Sequence, residues 1–259
     1  MSIERLRAIM VALRDPERGC PWDREQTWSS IAPHTLEEAF ELADAIEQGD
    51  VRHVRDELGD LLFQVVFQAR IAEEQGLFDL DAVAAAISDK LERRHPHVFG
   101  TATVRSADEQ TQAWEEHMAA ERLAAGGGGG ALDGIALGLP ALTRAAKLGK
   151  RAAGVGFDWT RPLDVVDKVE EECGELRAAL AANDTAAVAE ELGDLLFSIA
   201  QLARHVGADP EAALRATSAK FERRFRHMEQ WLAEQGRSPR DAASDELEAL
   251  WARAKQERG

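Results

Sequence analysis

A chain of 259 residues holds one large domain or two of ordinary size, and 45% apolar with 30% charged residues is the balance of a soluble globular protein. A formal charge of −16 argues against a general nucleic-acid binder, which carries a basic footprint, and no run approaches the ~20 apolar residues of a membrane span. An acidic protein that binds an anion must concentrate cations locally, as metal ions or as a Lys/Arg cluster.

The opening MSIERLRAIMVALRD is charged throughout and has no apolar run long enough for a signal peptide. Cys20 falls in a turn-like GCPWD stretch and Cys173 inside a helical segment. Without a CxxC pair or ligand-spaced histidines nearby, both are expected to be free thiols of a cytoplasmic protein. Residues 36–48 are helix formers ended by Gly49-Asp50, a C-cap followed by an N-cap, and the next helix is expected over 51–75. Helices over 79–94 and 108–123 follow. The run AAGGGGGALDG (124–134) contains five consecutive glycines and reads as a flexible linker. Beyond it come helices over 170–182, ended by Asn183-Asp184, and over 185–206, 210–235 and 243–257. Strand alternation is scarce and tyrosine is absent. The class is all-α, built as antiparallel bundles.

The chain is also a duplication. Residues 37–73 match 171–207 at a constant offset of 134 without a gap, with 16 of 37 positions identical. KLERR (90–94) matches KFERR (220–224), and Trp114 loosely matches Trp251. The sequence thus divides into a first module, 1–123, a Gly-rich linker, 124–134, and a second module, 135–259.

Each module carries two carboxylate pairs at i,i+3 spacing: Glu38 with Glu41 and Glu57 with Asp60, then Glu172 with Glu175 and Glu191 with Asp194. That spacing puts each pair on one helical face, with Cβ atoms about 5–6 Å apart. The tight turn makes the two helices antiparallel. At ~1.5 Å per residue, Glu175 and Glu191 both stand about 9–10 Å from it, and Glu172 and Asp194 about 14–15 Å. The four groups can therefore meet at one level, and the same holds for Glu38, Glu41, Glu57 and Asp60. Carboxylates so crowded raise one another's pKa unless a cation joins them. Oxygen ligands without histidine suit Mg²⁺, or Mn²⁺, which completes its shell with water and phosphate oxygens.

A solvated face explains Glu37, Glu38 and Glu41 equally well, since they fall opposite Leu36, Phe40 and Ala43. The second helix of each pair differs. Leu61, Leu62, Phe63, Val65, Val66 and Phe67 cover most of its circumference and predict a largely buried helix. Glu57, Asp60, Gln64 and Gln68 form a narrow polar stripe on it, repeated by Glu191, Asp194 and Ser198. The carboxylates survive the duplication while neighbours drift, as in Arg52 to Ala186 and His53 to Ala187.

Lys220, Arg223 and Arg224 form a dense cation cluster, fit to clamp a triphosphate or, more blandly, to pair with nearby Glu on an amphipathic helix. Lys168 lies one turn before Glu172, where the first module has His34. Trp251 could stack on a base or anchor packing. GVGFDW (154–159) lacks the Lys-Ser/Thr of a phosphate loop. Two other classes use helical carboxylates: di-iron oxidases, which normally add a Glu-x-x-His motif absent from both ELGD segments, and non-catalytic binding modules, a role open to the first copy.

The EExxE…ELGDLLF arrangement, present twice, with KLERRHPHVFG, KFERRFRHME, CPWDREQT (20–27) and VGFDWTRP (155–162), closely resembles the MazG family of nucleoside triphosphate pyrophosphohydrolases in the all-α NTP pyrophosphatase superfamily. The resemblance implies an Mg²⁺-dependent homodimer that cleaves NTPs and dNTPs between the α and β phosphates. It implies a catalytic second module and a structural or weakly active first one. Carried onto this chain, the metal ligands are Glu172, Glu175, Glu191 and Asp194. The expected catalytic group is Glu171, Glu172 and Glu175; an acidic group outside the tightest metal shell, Glu171 or Glu175, is expected to accept the proton of the attacking water. Nucleotide contacts fall on Lys168, Val169, Glu170, Glu171, Glu172 and Asp194, on Lys220, Phe221, Glu222, Arg223 and Arg224, and on Trp251. Some members carry a basic residue shortly before the ExxD pair; here Val188 is flanked by alanines.

Overall fold

The computed structural model describes residues 3–101, 106 and 130–257. The chain forms two compact units, Met1–His117 and Met118–Gly259. The described elements are helical, as the composition predicts, with no strand among the described residues. The helix expected over 108–123 and the Trp114 match lie outside them.

In the first unit, α1 (Ile3–Leu13) and the short α2 (Pro21–Glu25) precede a long hairpin of α3 (Trp28–Gln48) and α4 (Val51–Glu74), followed by α5 (Leu80–Arg94) and α6 (Pro96–Phe99). Cys20 is the N-cap of α2. The α3 helix begins eight residues before the expected 36. Thr27 accepts from the Ser30 backbone N–H and the Ser30 hydroxyl accepts from that of Thr27, a reciprocal cap that starts the helix ahead of Pro33. At the hairpin turn Gly49 takes φ 71, which a residue without Cβ adopts freely. Asp50 then caps α4 by accepting from the Arg52 and His53 N–H groups at 3.0 and 3.2 Å. The core gathers Met10, Ile31, Val66, Phe67 and Ile71, with Leu6, Leu13, Phe63 and Leu80 packed against it. Arg14 lies over the Phe67 ring at 5.4 Å and pairs with Glu74 at 2.7 Å.

The second unit repeats the hairpin. Its elements are α7 (Ala141–Ala153), α8 (Pro162–Ala182), α9 (Thr185–His205), α10 (Pro210–Ala233), a 3₁₀ turn (Pro239–Asp241) and α11 (Ser244–Glu257). α8 also starts earlier than the expected 170, behind Arg161, whose backbone N–H and Nε both donate to the Asp164 carboxylate, at 3.0 and 3.1 Å. Asn183 takes the left-handed turn position at φ 56, and Asp184 caps α9 through the Ala186 and Ala187 N–H groups. The other predicted helices end within two residues of their expected limits.

α7 packs on α9 through Gly149. A Cβ there would overlap the Gln201 side chain, which is fully buried and donates to the Ala145 carbonyl at 2.8 Å. Arg204 donates to Gln201 Oε1 at 3.0 Å and forks onto Asp158, which also bonds His205 Nε2 at 2.9 Å. The Arg204 guanidinium, aided by His205, holds the Asp158 carboxyl down at about 2.

The expected burial of α4 and α9 needs correction. Leu58, Leu62 and Val65 form an exposed apolar stripe along α4, and Leu192, Leu196 and Ile199 repeat it on α9. Leu36 and Phe40 of α3 are exposed as well. These flanks are left in contact with solvent, so an apolar circumference does not by itself measure burial.

Candidate active site

The turns set the helices of each hairpin antiparallel, and three of the four carboxylates expected at one level come together in each module. Oxygens of Glu172, Glu175 and Glu191 all lie within 4.8 Å of one another, as do oxygens of Glu38, Glu41 and Glu57. In each trio one residue is buried, Glu172 at 4% exposure and Glu57 at 8%, while Glu175 and Glu41 are exposed. Asp194 and Asp60 stand outside the trios but within their electrostatic reach. Burial, then Glu175, Glu172 and Asp194, push the Glu191 carboxyl above its ordinary range. Burial, then Asp60, Glu41 and Glu57, do the same for Glu38. Crowded, partly desolvated carboxylates of this kind fit a hard divalent cation: every donor is an oxygen, and the cation removes the repulsion that raises the pKa values.

The trios differ in the cations the protein itself supplies. In the second module the Lys168 ammonium contacts Glu172 at 2.7 Å and Glu171 at 3.0 Å. These two bonds raise its pKa and keep it charged. In the first module His34, the corresponding residue, turns to Glu37 at 3.4 Å rather than to Glu38. Glu57 is met by His53 at 2.8 Å on one oxygen, while its buried Oε2 has no partner. Gln64, also buried, reaches Glu38 through Nε2 at 3.5 Å and leaves its Oε1 unpartnered. Buried polar atoms without partners are costly, and both belong to groups that face the trio. His53 appeared in the sequence only as a position that drifted. Its i,i+4 spacing to Glu57, the same as that of Lys168 to Glu172, was the available signal.

The remaining expected residues fall in two places. Val169, Glu170 and Glu171 continue α8 beside Lys168. On α10, Lys220 and Arg223 are exposed and Arg224 is half-buried with its Nε unpartnered. Among the described residues no ion pair joins Lys220, Arg223 or Arg224 to a carboxylate; Glu222 pairs instead with Arg226 at 2.8 Å. Phe221 meets Trp251 of α11 with ring centroids 5.0 Å apart, and Lys255 lies 5.8 Å over the indole. Trp251 is therefore packed against the basic segment.

Two helix hairpins, each with a carboxylate trio that could hold a metal ion and one with a lysine against it, are compatible with hydrolysis of a phosphate ester or anhydride. The MazG nucleotide pyrophosphohydrolase domain matches residues 26–99 and again 161–229. The chain is 50% identical to the nucleoside triphosphate pyrophosphohydrolase of Escherichia coli K12, over 99% of this chain and 98% of that one. It is 41% identical to the nucleoside triphosphate pyrophosphohydrolase/pyrophosphatase MazG of Thermotoga maritima, over 97% and 95%. A crystal structure of a mazG-related protein from Thermotoga maritima aligns with 44% of this chain and 97% of its own, at 25% identity and a TM-score of 0.38. The chain belongs to the MazG nucleotide pyrophosphohydrolase family, with the domain present in two copies.

Proposed function

We propose that the second module is the catalytic one and that Glu172, Glu175, Glu191 and Asp194 hold Mg²⁺, or Mn²⁺, against a nucleoside triphosphate. The chain is a nucleoside triphosphate pyrophosphohydrolase. The observation that carries the assignment to one module is Lys168, which stands 2.7 Å from Glu172 where the first module has a histidine turned elsewhere. The domain limits proposed are 1–123, 124–134 and 135–259. The first module is structural or weakly active, with Glu38, Glu41, Glu57 and Asp60 as a second metal site.

The divalent cation, when bound, polarises the α-phosphorus and neutralises charge on the departing pyrophosphate. The chain's own residues do the rest. The trio fixes the position at which the triphosphate's oxygens converge. Lys168 faces the same oxygens, and Lys220, Arg223 and Arg224, which pair with no carboxylate among the described residues, are available to the outer phosphates. Glu171 or Glu175, the two exposed carboxylates of the group, takes the proton of the attacking water. Water oxygen bonds to the α-phosphorus, the bond from that phosphorus to the bridging oxygen breaks, and pyrophosphate leaves with the electron pair. Val169, Glu170, Phe221, Glu222 and Asp194 complete the nucleotide contacts, and Trp251 offers a ring to the base. Analysis of products from dNTPs tests it: NMP with pyrophosphate is expected, and NDP with orthophosphate would refute it.

Self-association as a homodimer is part of this proposal. It is supported by the exposed stripe Leu58, Leu62 and Val65 and its copy Leu192, Leu196 and Ile199, placed alike on α4 and α9. No described helix is long and apolar enough to cross a membrane. The net charge of −16 speaks against a nucleic-acid partner, and the two free cysteines suit a cytoplasmic setting.

A further inference from the structure

The two trios present different surfaces to an incoming cation. At Glu172 the position is contested, because an ammonium 2.7 Å away already satisfies part of the buried carboxylate. Lys168 is bound to the neighbouring Glu171 as well, so it can leave Glu172 without losing every partner. Its side chain is one-third exposed. At Glu57 no lysine intervenes; the group at that spacing is the His53 imidazole, whose Nε2 meets one oxygen at 2.8 Å. One oxygen of that buried carboxylate and one of the buried Gln64 amide carry no hydrogen bond. Orphaned acceptors inside an acidic trio are what a cation would satisfy.

We propose that Lys168 is a built-in competitor for the metal position of the second module. Its ammonium holds Glu172 until triphosphate oxygens offer it better partners, so this module takes its divalent cation together with nucleotide, whereas the first module takes the bare ion. The inference rests on the metal-site reading given above and adds an order of loading to it. Two positive groups cannot share one buried carboxylate without repulsion, and the phosphate chain, with its several oxygens, is the one partner that attracts both. The arrangement suppresses metal binding in the absence of substrate and makes metal and nucleotide binding mutually reinforcing.

Mn²⁺ titration of the full chain, followed by the electron paramagnetic resonance of the free ion, tests the proposal. With no nucleotide, the wild-type chain should show a Mn²⁺ site that Glu57→Gln removes. In the Glu57→Gln background, Mn²⁺ should bind weakly until a non-hydrolysable α,β-methylene triphosphate is added. Adding Lys168→Met to that background should tighten nucleotide-free Mn²⁺ binding roughly tenfold, the scale of losing one charge-assisted contact. Lys168→Gln should do the same, Lys168→Arg should leave the parent's weak binding, and Glu172→Gln should abolish the gain. Mn²⁺ affinity that is unchanged or weaker in both neutral variants, with binding still lost in Glu172→Gln, overturns the competition and leaves the metal site standing. Mn²⁺ binding indifferent to Glu172→Gln in every background overturns both. Far-UV circular dichroism of each variant establishes that a changed affinity comes from a folded chain.

Discussion

The two modules build the same hairpin on different interiors. Residues one offset apart show how. Ile31 of the first core corresponds to Val165, Val66 to Ala200, Phe67 to Gln201 and Ile71 to His205, and all but the last are buried. In the first module these positions form an apolar cluster roofed by Arg14. In the second, Gln201, Arg204, His205 and Asp158 form a hydrogen-bonded network that ties the chain before α8 to the end of α9. Both solutions hold the helix pair so that three glutamates converge. The site geometry therefore depends on the hairpin and its turn, while the means of anchoring the hairpin was free to change from dispersion and burial to paired polar groups.

The largest expected effect separates the sites. Glu172→Gln should lower kcat/KM for a dNTP by roughly 10²–10³-fold, the scale of removing a group that organises transition-state charge. Glu38→Gln should leave it within about threefold. Equal losses in steady-state assays would erase the proposed division of labour. Next come the interiors. Phe67→Ala should destabilise the first module by about 3–5 kcal/mol in denaturant melts, through lost burial and the cavity beneath Arg14. Gly149→Ala should destabilise the second by about 1–3 kcal/mol, because the new Cβ displaces Gln201 from the Ala145 carbonyl.

Acid should also distinguish them. The folded pKa of Asp158 is depressed, so its contribution is complete above the unfolded value near 3.8 and is lost as pH falls toward about 2. Melts between pH 5 and pH 2 should show this loss, and Asp158→Asn should flatten the dependence. The smallest effect runs the other way. Glu38 and Glu191 have raised values, so ionising them at neutral pH costs stability that a divalent cation relieves. Millimolar Mg²⁺ should raise the melting temperature by a few degrees, and less so in Glu57→Gln.

What the sequence disclosed follows from local physics. Gly49-Asp50 and Asn183-Asp184 announce their turn through residues with one preferred role each, and the carboxylate levels follow from helical rise. The early starts of α3 and α8 were harder to see. Ser30 and Asp164 complete caps whose partners are not the usual Ser/Thr-x-x-Glu, and one of them begins with arginine. The Asp158 network joins residues 46 and 47 positions apart, a pairing that no local spacing encodes. The exposed flank of α4 reads as core in one dimension, because a sequence records which residues avoid water but not which chain covers them.

The left-handed residue at each turn has a consequence for how the family of such hairpins can vary. Both arms are counted from that point, so the turn is the zero mark of a ruler. One residue inserted there would rotate one arm by about 100° against the other and advance it by about 1.5 Å, carrying one glutamate pair off the shared face. Gly49 became Asn183 with the same backbone sign and the same length. Chemical identity at the zero mark could drift; the count could not.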